Sequence, residues 1–149
     1  MVGRALSRAV RWAEAARAFE QLTGLSPENP APLLALAQCR EALHDQPGAL
    51  AAYERAVAIA PDSPSVLFAL GGSCLRAGKL DEAIACLEAA AATDPGRPEY
   101  RVNLALAHLK HGDLLGARRV FGELARRWPD LREVGELRSL LRRVSEPGA

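Results

Sequence analysis

The chain has 149 residues, 49% of them apolar and 25% charged, the balance of an ordinary globular domain with a continuous core. With 19 basic against 18 acidic residues the formal charge is +1, which offers no electrostatic pull toward nucleic acid or an anionic membrane. No run of about 18 apolar residues is present, so no membrane-spanning helix is expected, and abundant Ala with only 5% aromatics favours closely packed helices over a β-sandwich.

The opening stretch, MVGRALSRAVRWAEAARAFE, lacks the apolar segment of a secretory leader, which favours a cytoplasmic setting, or a periplasmic one if this is not the native N-terminus. Lys79 and Lys110 are the only lysines among many arginines; with the Ala abundance this suggests GC-rich, bacterial coding. Val2, Gly3 and Leu6 read as the latter half of a first helix, and Arg11, Trp12, Ala15, Phe19 and Leu22 as a second. The chain therefore either begins within a unit or belongs to a longer array.

Three helix pairs follow. First helices are predicted near Ala31–Leu43, Ser65–Ala77 and Glu99–His111, and second helices near Pro47–Ala60, Leu80–Thr93 and Leu114–Trp128. The prolines at 27 and 30, 61 and 64, and 95 and 98 mark the junctions: the first of each pair stops a helix, and the second suits the first turn of the next. Gly78 and Gly112 suit left-handed helix ends, and Asp81 and Asp113 are expected near the starts of second helices as caps. Leu131, Val134, Leu137, Leu140, Leu141 and Val144 then recur at helical spacing with charges between them, as a capping helix requires, and residues 145–149 are expected to be a disordered tail.

The units share one register. Pro27, Pro61, Pro95 and Pro129 are 34 residues apart (61−27, 95−61, 129−95). Ala15, Ala49, Ala83 and Ala117 keep the same step, as do Gly3, Ala37, Gly71 and Ala105, and the large residues Phe19, Tyr53, Leu87 and Phe121. The small columns suit helix axes that approach closely, with Gly71 meeting Ala83, and stacking of units buries what one unit cannot.

Leu67, Leu70, Gly71, Gly78, Ala83, Leu87, Ala90 and Pro95 resemble the tetratricopeptide-repeat motif, and the likeness extends over about residues 2–129. It departs at Leu6, Arg40, Cys74 and His108, where an aromatic is usual, and at Arg101, which breaks the column of Leu33 and Leu67. The resemblance implies an all-α, right-handed α-solenoid of antiparallel helix pairs. It divides as a partial repeat (1–29), repeats at 30–63, 64–97 and 98–131, and a capping helix at 132–144, all in one domain.

No catalytic constellation is legible. The segment from Gly72 to Lys79 misses a phosphate loop by one residue and lacks the hydroxyl that would follow the Lys. His108, His111 and Asp113 read either as metal ligands or, better, as a helix end with its dipole partner and cap. Cys39, Cys74 and Cys86 lack metal spacing and read as small buried hydrophobes. Neither metal nor cofactor is expected. The basic C-terminal surface (Arg118, Arg119, Arg126, Arg127, Arg132, Arg138, Arg142, Arg143) is diluted by Glu123, Asp130, Glu133 and Glu136, so a solvated face is the plainer reading and an acidic partner the sharper one.

The resemblance further implies a concave groove lined by the first helices. By register its columns hold Leu34, Phe68 and Val102; Gln38, Gly72 and Leu106; and Glu41, Leu75 and Leu109, with Arg76, Asn103 and Lys110 alongside. Such an apolar stripe calls for cover by a partner's segment, by a second copy, or by its own side chains. The groove residues expected to bind peptide are Leu34, Gln38, Phe68, Gly72, Arg76, Val102, Asn103, Leu106 and Lys110. Where relatives that grip a C-terminal carboxylate carry lysines, this chain has Leu34 and Glu99, so that subtype is disfavoured. The expected role is a non-catalytic scaffold or adaptor for a protein or peptide partner. The alternatives are a self-assembling element that forms homo-oligomers, using Met1–Val10 or the stripe, and an accessory domain of a larger enzyme. Nucleic-acid binding, as in the related pentatricopeptide arrays, is disfavoured by the balanced charge.

Overall fold

Proline and glycine, at fixed steps along the chain, decide where each helix begins and stops. The computed structural model describes residues 2–146 and 148. Among them are eight helices: α1 (Val2–Leu25), α2 (Ala31–Ala42), α3 (Gln46–Ile59), α4 (Pro64–Ala77), α5 (Leu80–Thr93), α6 (Pro98–His111), α7 (Leu114–Arg127) and α8 (Arg132–Ser145). Pro64 and Pro98 open α4 and α6, where a missing N–H costs nothing. Gly78 (φ 76°) and Gly112 (φ 83°) close the same helices in the left-handed region. The Lys79 N–H donates to the Cys74 carbonyl and the Asp113 N–H to the His108 carbonyl, both at 2.9 Å, completing the helix ends.

His44, 34 residues before Gly78, takes the same conformation at φ 60°. Stepping back once more reaches Val10. A β-branched residue is among the poorest at positive φ, and Arg11 replaces the capping position of Asp45 and Asp113. Nothing stops the helix there. The two helices expected at the N-terminus are instead one continuous 24-residue helix.

Each later helix packs antiparallel on its predecessor, so the chain is an all-α solenoid whose core runs through every repeat. Ala49, Ala83 and Ala117 are fully buried at the pair contacts, with Leu36, Leu87 and Leu124 filling the layers between. A Cβ placed on Gly71 would lie 2.9 Å from Leu87 Cγ and 3.3 Å from Cys86 Cβ. The close neighbour of Gly71 is thus the branched Leu87, not Ala83. Helix α8 covers the last layer with Val134, Leu137 and Leu141 and leaves its charged face to solvent. Ser145, expected in a disordered tail, is the last residue of this helix, held by its hydroxyl on the Leu141 carbonyl at 2.6 Å. Residues 147 and 149 of that tail lie outside the described residues.

The second helices begin with two kinds of cap. Asp45 and Asp113 accept the N–H of Gly48 and Gly116 at 3.0 and 2.9 Å. The Gly116 N–H, aided by nearby His108, holds the Asp113 carboxyl below the usual carboxylate range. In the middle repeat Lys79 supplies no cap; Asp81 and Glu82 in the first turn oppose the helix dipole instead. Asp81 is therefore not the cap expected of it.

These starts are coupled to the position where an aromatic residue is usual. Arg40 and His108 are large, and eight residues later stand Gly48 and Gly116; Cys74 is small, and Glu82 follows at that spacing. A Cβ on Gly116 would meet the capping Asp113 Oδ2 first and lie 2.5 Å from His108 Nδ1. In the middle repeat Lys79 replaces the capping Asp, and Cys74 leaves room for Glu82, whose carboxylate lies 3.9 Å from the thiol sulfur. We therefore expect Gly116→Ala to destabilise the protein by about 1–3 kcal/mol, because the Asp113 cap is displaced and the buried His108 ring cannot move aside. With His108→Cys already present, the same change should cost less, about 0.5–2 kcal/mol, because only the Asp113 cap must then give way. Urea unfolding of the four proteins tests this; equal effects in both backgrounds would contradict the coupling.

Candidate ligand groove

The first helices α2, α4 and α6 each contribute one residue to every column of the concave face, because their facing residues recur every 34 positions. The structure gathers six of the nine expected groove residues, Leu34, Gln38, Phe68, Gly72, Arg76 and Asn103, around a cleft of about 350 Å³. Val102 and Asn103 line a second cleft of about 510 Å³ with Pro98, Glu99, Leu131 and Glu133, so Asn103 joins the two. Leu106 is half-buried against the core and Lys110 is exposed; neither lines these clefts.

Phe68 anchors the first cleft. Its ring lies 4.9 Å from that of Tyr100, tilted by 43°, which holds it on one side and leaves an edge to the opening. Gly72, one turn later, has no side chain to cover that edge. Leu34 supplies the facing apolar wall, while Gln38 and Asn103 offer amide donors and acceptors at the rim.

A polar relay closes one end of the cleft and ties two repeats together. Arg76 Nη2 on α4 meets Glu41 Oε1 on α2 at 2.5 Å, and the Tyr53 hydroxyl of α3 donates to Glu41 Oε2 at 3.4 Å. Burial, and then the charge of Glu41, push the Tyr53 phenol up to about 12. It is therefore a neutral donor at any physiological pH. A second cross-repeat tie lies below, where Gln46 Nε2 donates to the hydroxyl of fully buried Ser73 at 3.0 Å.

Tyr53, Leu131 and Glu133 were not expected in the groove. Tyr53 stands in a core column shared with Phe19, Leu87 and Phe121 and is itself buried; only its hydroxyl, which the others lack, hints that it meets the polar groups of the cleft wall. Leu131 and Glu133 come from the start of the capping helix, outside the repeat register, and no periodic signal points to them.

The other candidate sites do not assemble. His108 is buried with Nδ1 2.9 Å from Asp113 Oδ2, yet off hydrogen-bonding direction, whereas His111 turns to Asp81 of the preceding repeat at 2.9 Å. Among the described residues no three His, Cys, Asp or Glu side chains converge as metal ligands. Gly72 and Gly78 lie on α4 and at its C-terminus, the wrong end of a helix for phosphate. Cys74 is buried and its thiol is pushed up to about 11, chiefly by that burial, so it is no ready nucleophile. Several of the C-terminal arginines are occupied: Arg132 pairs with Glu136, Arg119 approaches Glu88, and Arg127 and Arg138 lie over the rings of Trp128 and Phe121. Arg101, the residue that breaks its column, reaches Glu123 and the Pro95 carbonyl and so fills its place without an aromatic ring.

Two family models match the chain, both described as tetratricopeptide repeat; one covers residues 1–64, and the other covers 42–101 and 75–141. No curated protein matches it significantly in sequence. Among solved structures, the crystal structure of MamA aligns with a TM-score of 0.74 and 18% identity, over 85% of this chain and 76% of that one. YrrB, described as a TPR protein with an unusual peptide-binding site, gives 0.77 and 22%, over 87% and 66%. The first TPR of Spaghetti (RPAP3), bound to the HSP90 peptide SRMEEVD, gives 0.69 and 15%, over 78% and 94%. At these identities the likeness is one of fold.

The raised Tyr53 phenol has a measurable consequence. Its contribution to stability is complete below about pH 10, where the unfolded chain also holds the proton, and is lost as pH rises toward about 12. Relative to Tyr53→Phe, the native chain should therefore lose stability between about pH 10 and about pH 12 in urea melts. Parallel pH profiles for the two proteins would show that the phenol is not held this way.

Proposed function

Because the chain belongs to the tetratricopeptide repeat family, we propose that it is a non-catalytic interaction scaffold whose concave face takes a peptide segment of another protein. The observation that carries this reading is the cleft around Phe68, an apolar floor bordered by the amides of Gln38 and Asn103 and closed by the Glu41–Arg76 pair. An apolar floor with a few polar groups at its rim suits one buried hydrophobic side chain flanked by peptide backbone. That two proteins of the same fold are described with a peptide or a peptide-binding site supports it.

The chemistry of the rim narrows the ligand. Arg76 is already neutralised by Glu41, and Glu99 adds negative charge beside Asn103, so a free C-terminal carboxylate is poorly served here. An internal segment with an apolar anchor is the better match. Three free cysteines, two of them buried, favour a reducing compartment for this role, in keeping with a cytoplasmic setting.

Selection from a displayed random-peptide library tests the reading. Enriched peptides should share an apolar anchor and bind Phe68→Ala at least about tenfold more weakly, with helicity unchanged by circular dichroism. Lys110→Ala, outside both clefts, should bind as the native chain does. Peptides that bind Phe68→Ala undiminished would place the site elsewhere.

A further inference from the structure

The N-terminal helix carries the sequence of two helices. Val2, Gly3 and Leu6 stand in the columns of Leu70, Gly71 and Cys74 on a first helix, and Ala15 and Phe19 in those of Ala83 and Leu87 on a second. One tetratricopeptide model accordingly matches from residue 1 through residue 64. In the later repeats these two sets face each other: Gly71 lies against Leu87, and Cys74 against Glu82. In α1 they cannot meet, because Gly3 and Phe19 are separated by about 24 Å along a straight helix.

Each half consequently lacks the helix that faces it in a complete repeat, although the second half packs on α2 through Ala16 and Phe19. Val2 and Leu6 are 77% and 64% exposed, and Ala15 is only half-buried where Ala49, Ala83 and Ala117 are fully buried. The surface missing from each half is the other half. A second copy can supply it, with its α1 antiparallel, so that the first-helix half of each chain lies on the second-helix half of the other. Shifting the Gly71–Leu87 and Cys74–Glu82 contacts back by two repeats gives Gly3 against Phe19 and Leu6 against Glu14. These pairs centre on residues 11 and 10, so one two-fold axis at Val10 and Arg11 satisfies both halves at once.

We propose that the chain forms a symmetric homodimer by exchanging Val2–Val10 between copies, each rebuilding the other's first repeat. The absent turn at Val10 is the cause: with no left-handed residue there, the hairpin closes between chains and not within one. The partner is a second copy of this chain, and the surface is distinct from the concave clefts.

Sedimentation equilibrium of the full chain should show a dimer. Leu6→Arg should weaken it at least about tenfold. Val10→Gly with Arg11→Asp, which reinstates the pattern of Gly112 and Asp113, should yield a folded monomer of unchanged helicity. Phe68→Ala should leave the dimer intact, which separates this inference from the groove. In a Cys86→Ser background, Leu6→Cys with Glu14→Cys should oxidise to a covalent dimer, since the two positions are about 12 Å apart within one helix. A monomeric native chain, a dimer indifferent to Leu6→Arg, or a failure of the 6–14 pair to link chains would overturn the proposal.

Discussion

The structure depends on how closely paired helices can approach. Ala49, Ala83 and Ala117 on the second helices are all fully buried, so a larger side chain at any of them would have to push its neighbours apart. That limit sets the spacing within a pair, and hence the depth of the layer that Leu36, Leu87 and Leu124 must fill. The local variations follow from the same constraint. Gly71 replaces Ala because Leu87 is branched and presses on it; Gly116 replaces Glu because the Asp113 cap and the His108 ring occupy space that Lys79 and Cys74 leave free one repeat earlier. Each repeat solves the same packing problem with a different pair of residues, which is why single positions look irregular while pairs do not.

A second constraint acts at the turns. A helix ends where a residue can enter the left-handed region and where the next helix finds a cap. Gly78 and Gly112 meet the first condition without strain, and His44 meets it at some cost. Asp45 and Asp113 meet the second by direct hydrogen bonds, while Lys79 does not and relies on the acids behind it. Val10 and Arg11 meet neither. The architecture of the N-terminus is thus decided by two residues, although the apolar columns on either side of them match those of a normal repeat.

This explains what could be read from the sequence and what could not. The repeat step, the three complete pairs, the junction prolines and the capping helix were legible because each is repeated or periodic, and the helix bounds fall within a residue or so of those expected. The long α1 was misread because columns report which faces are apolar, whereas continuity is decided by φ at one residue. Six of the groove residues converge as their register implied. Leu106 turned instead toward the core, and the extent of the groove was misjudged at its far end, where Leu131 and Glu133 enter from a helix that has no counterpart in the other repeats. The place of the buried Tyr53 hydroxyl in the cleft wall depends on Glu41 and Arg76, two residues on different helices, and such a three-body contact leaves no trace in spacing.

The two open apolar surfaces of the chain are not equivalent. In the groove the anchor Phe68 is braced by Tyr100, and the rim carries amides and a satisfied ion pair, so it is organised before any ligand arrives. The face of α1 has no such bracing; Val2 and Leu6 lie widely exposed, and Arg4, Arg8 and Trp12 border a cleft against Leu43 and His44 at the end of α2. A preorganised cleft suits a ligand that differs from the protein, because specificity then resides in the fixed rim. A bare helix face whose columns complement those further along the same helix suits a copy of itself, because the complementarity is already encoded in the register. Joining two copies through α1 would rebuild the repeat that precedes α2, whose Leu34 and Gln38 form one wall of the cleft, and in a solenoid each layer is braced by the one before it. Closing the first surface would in this way steady the second.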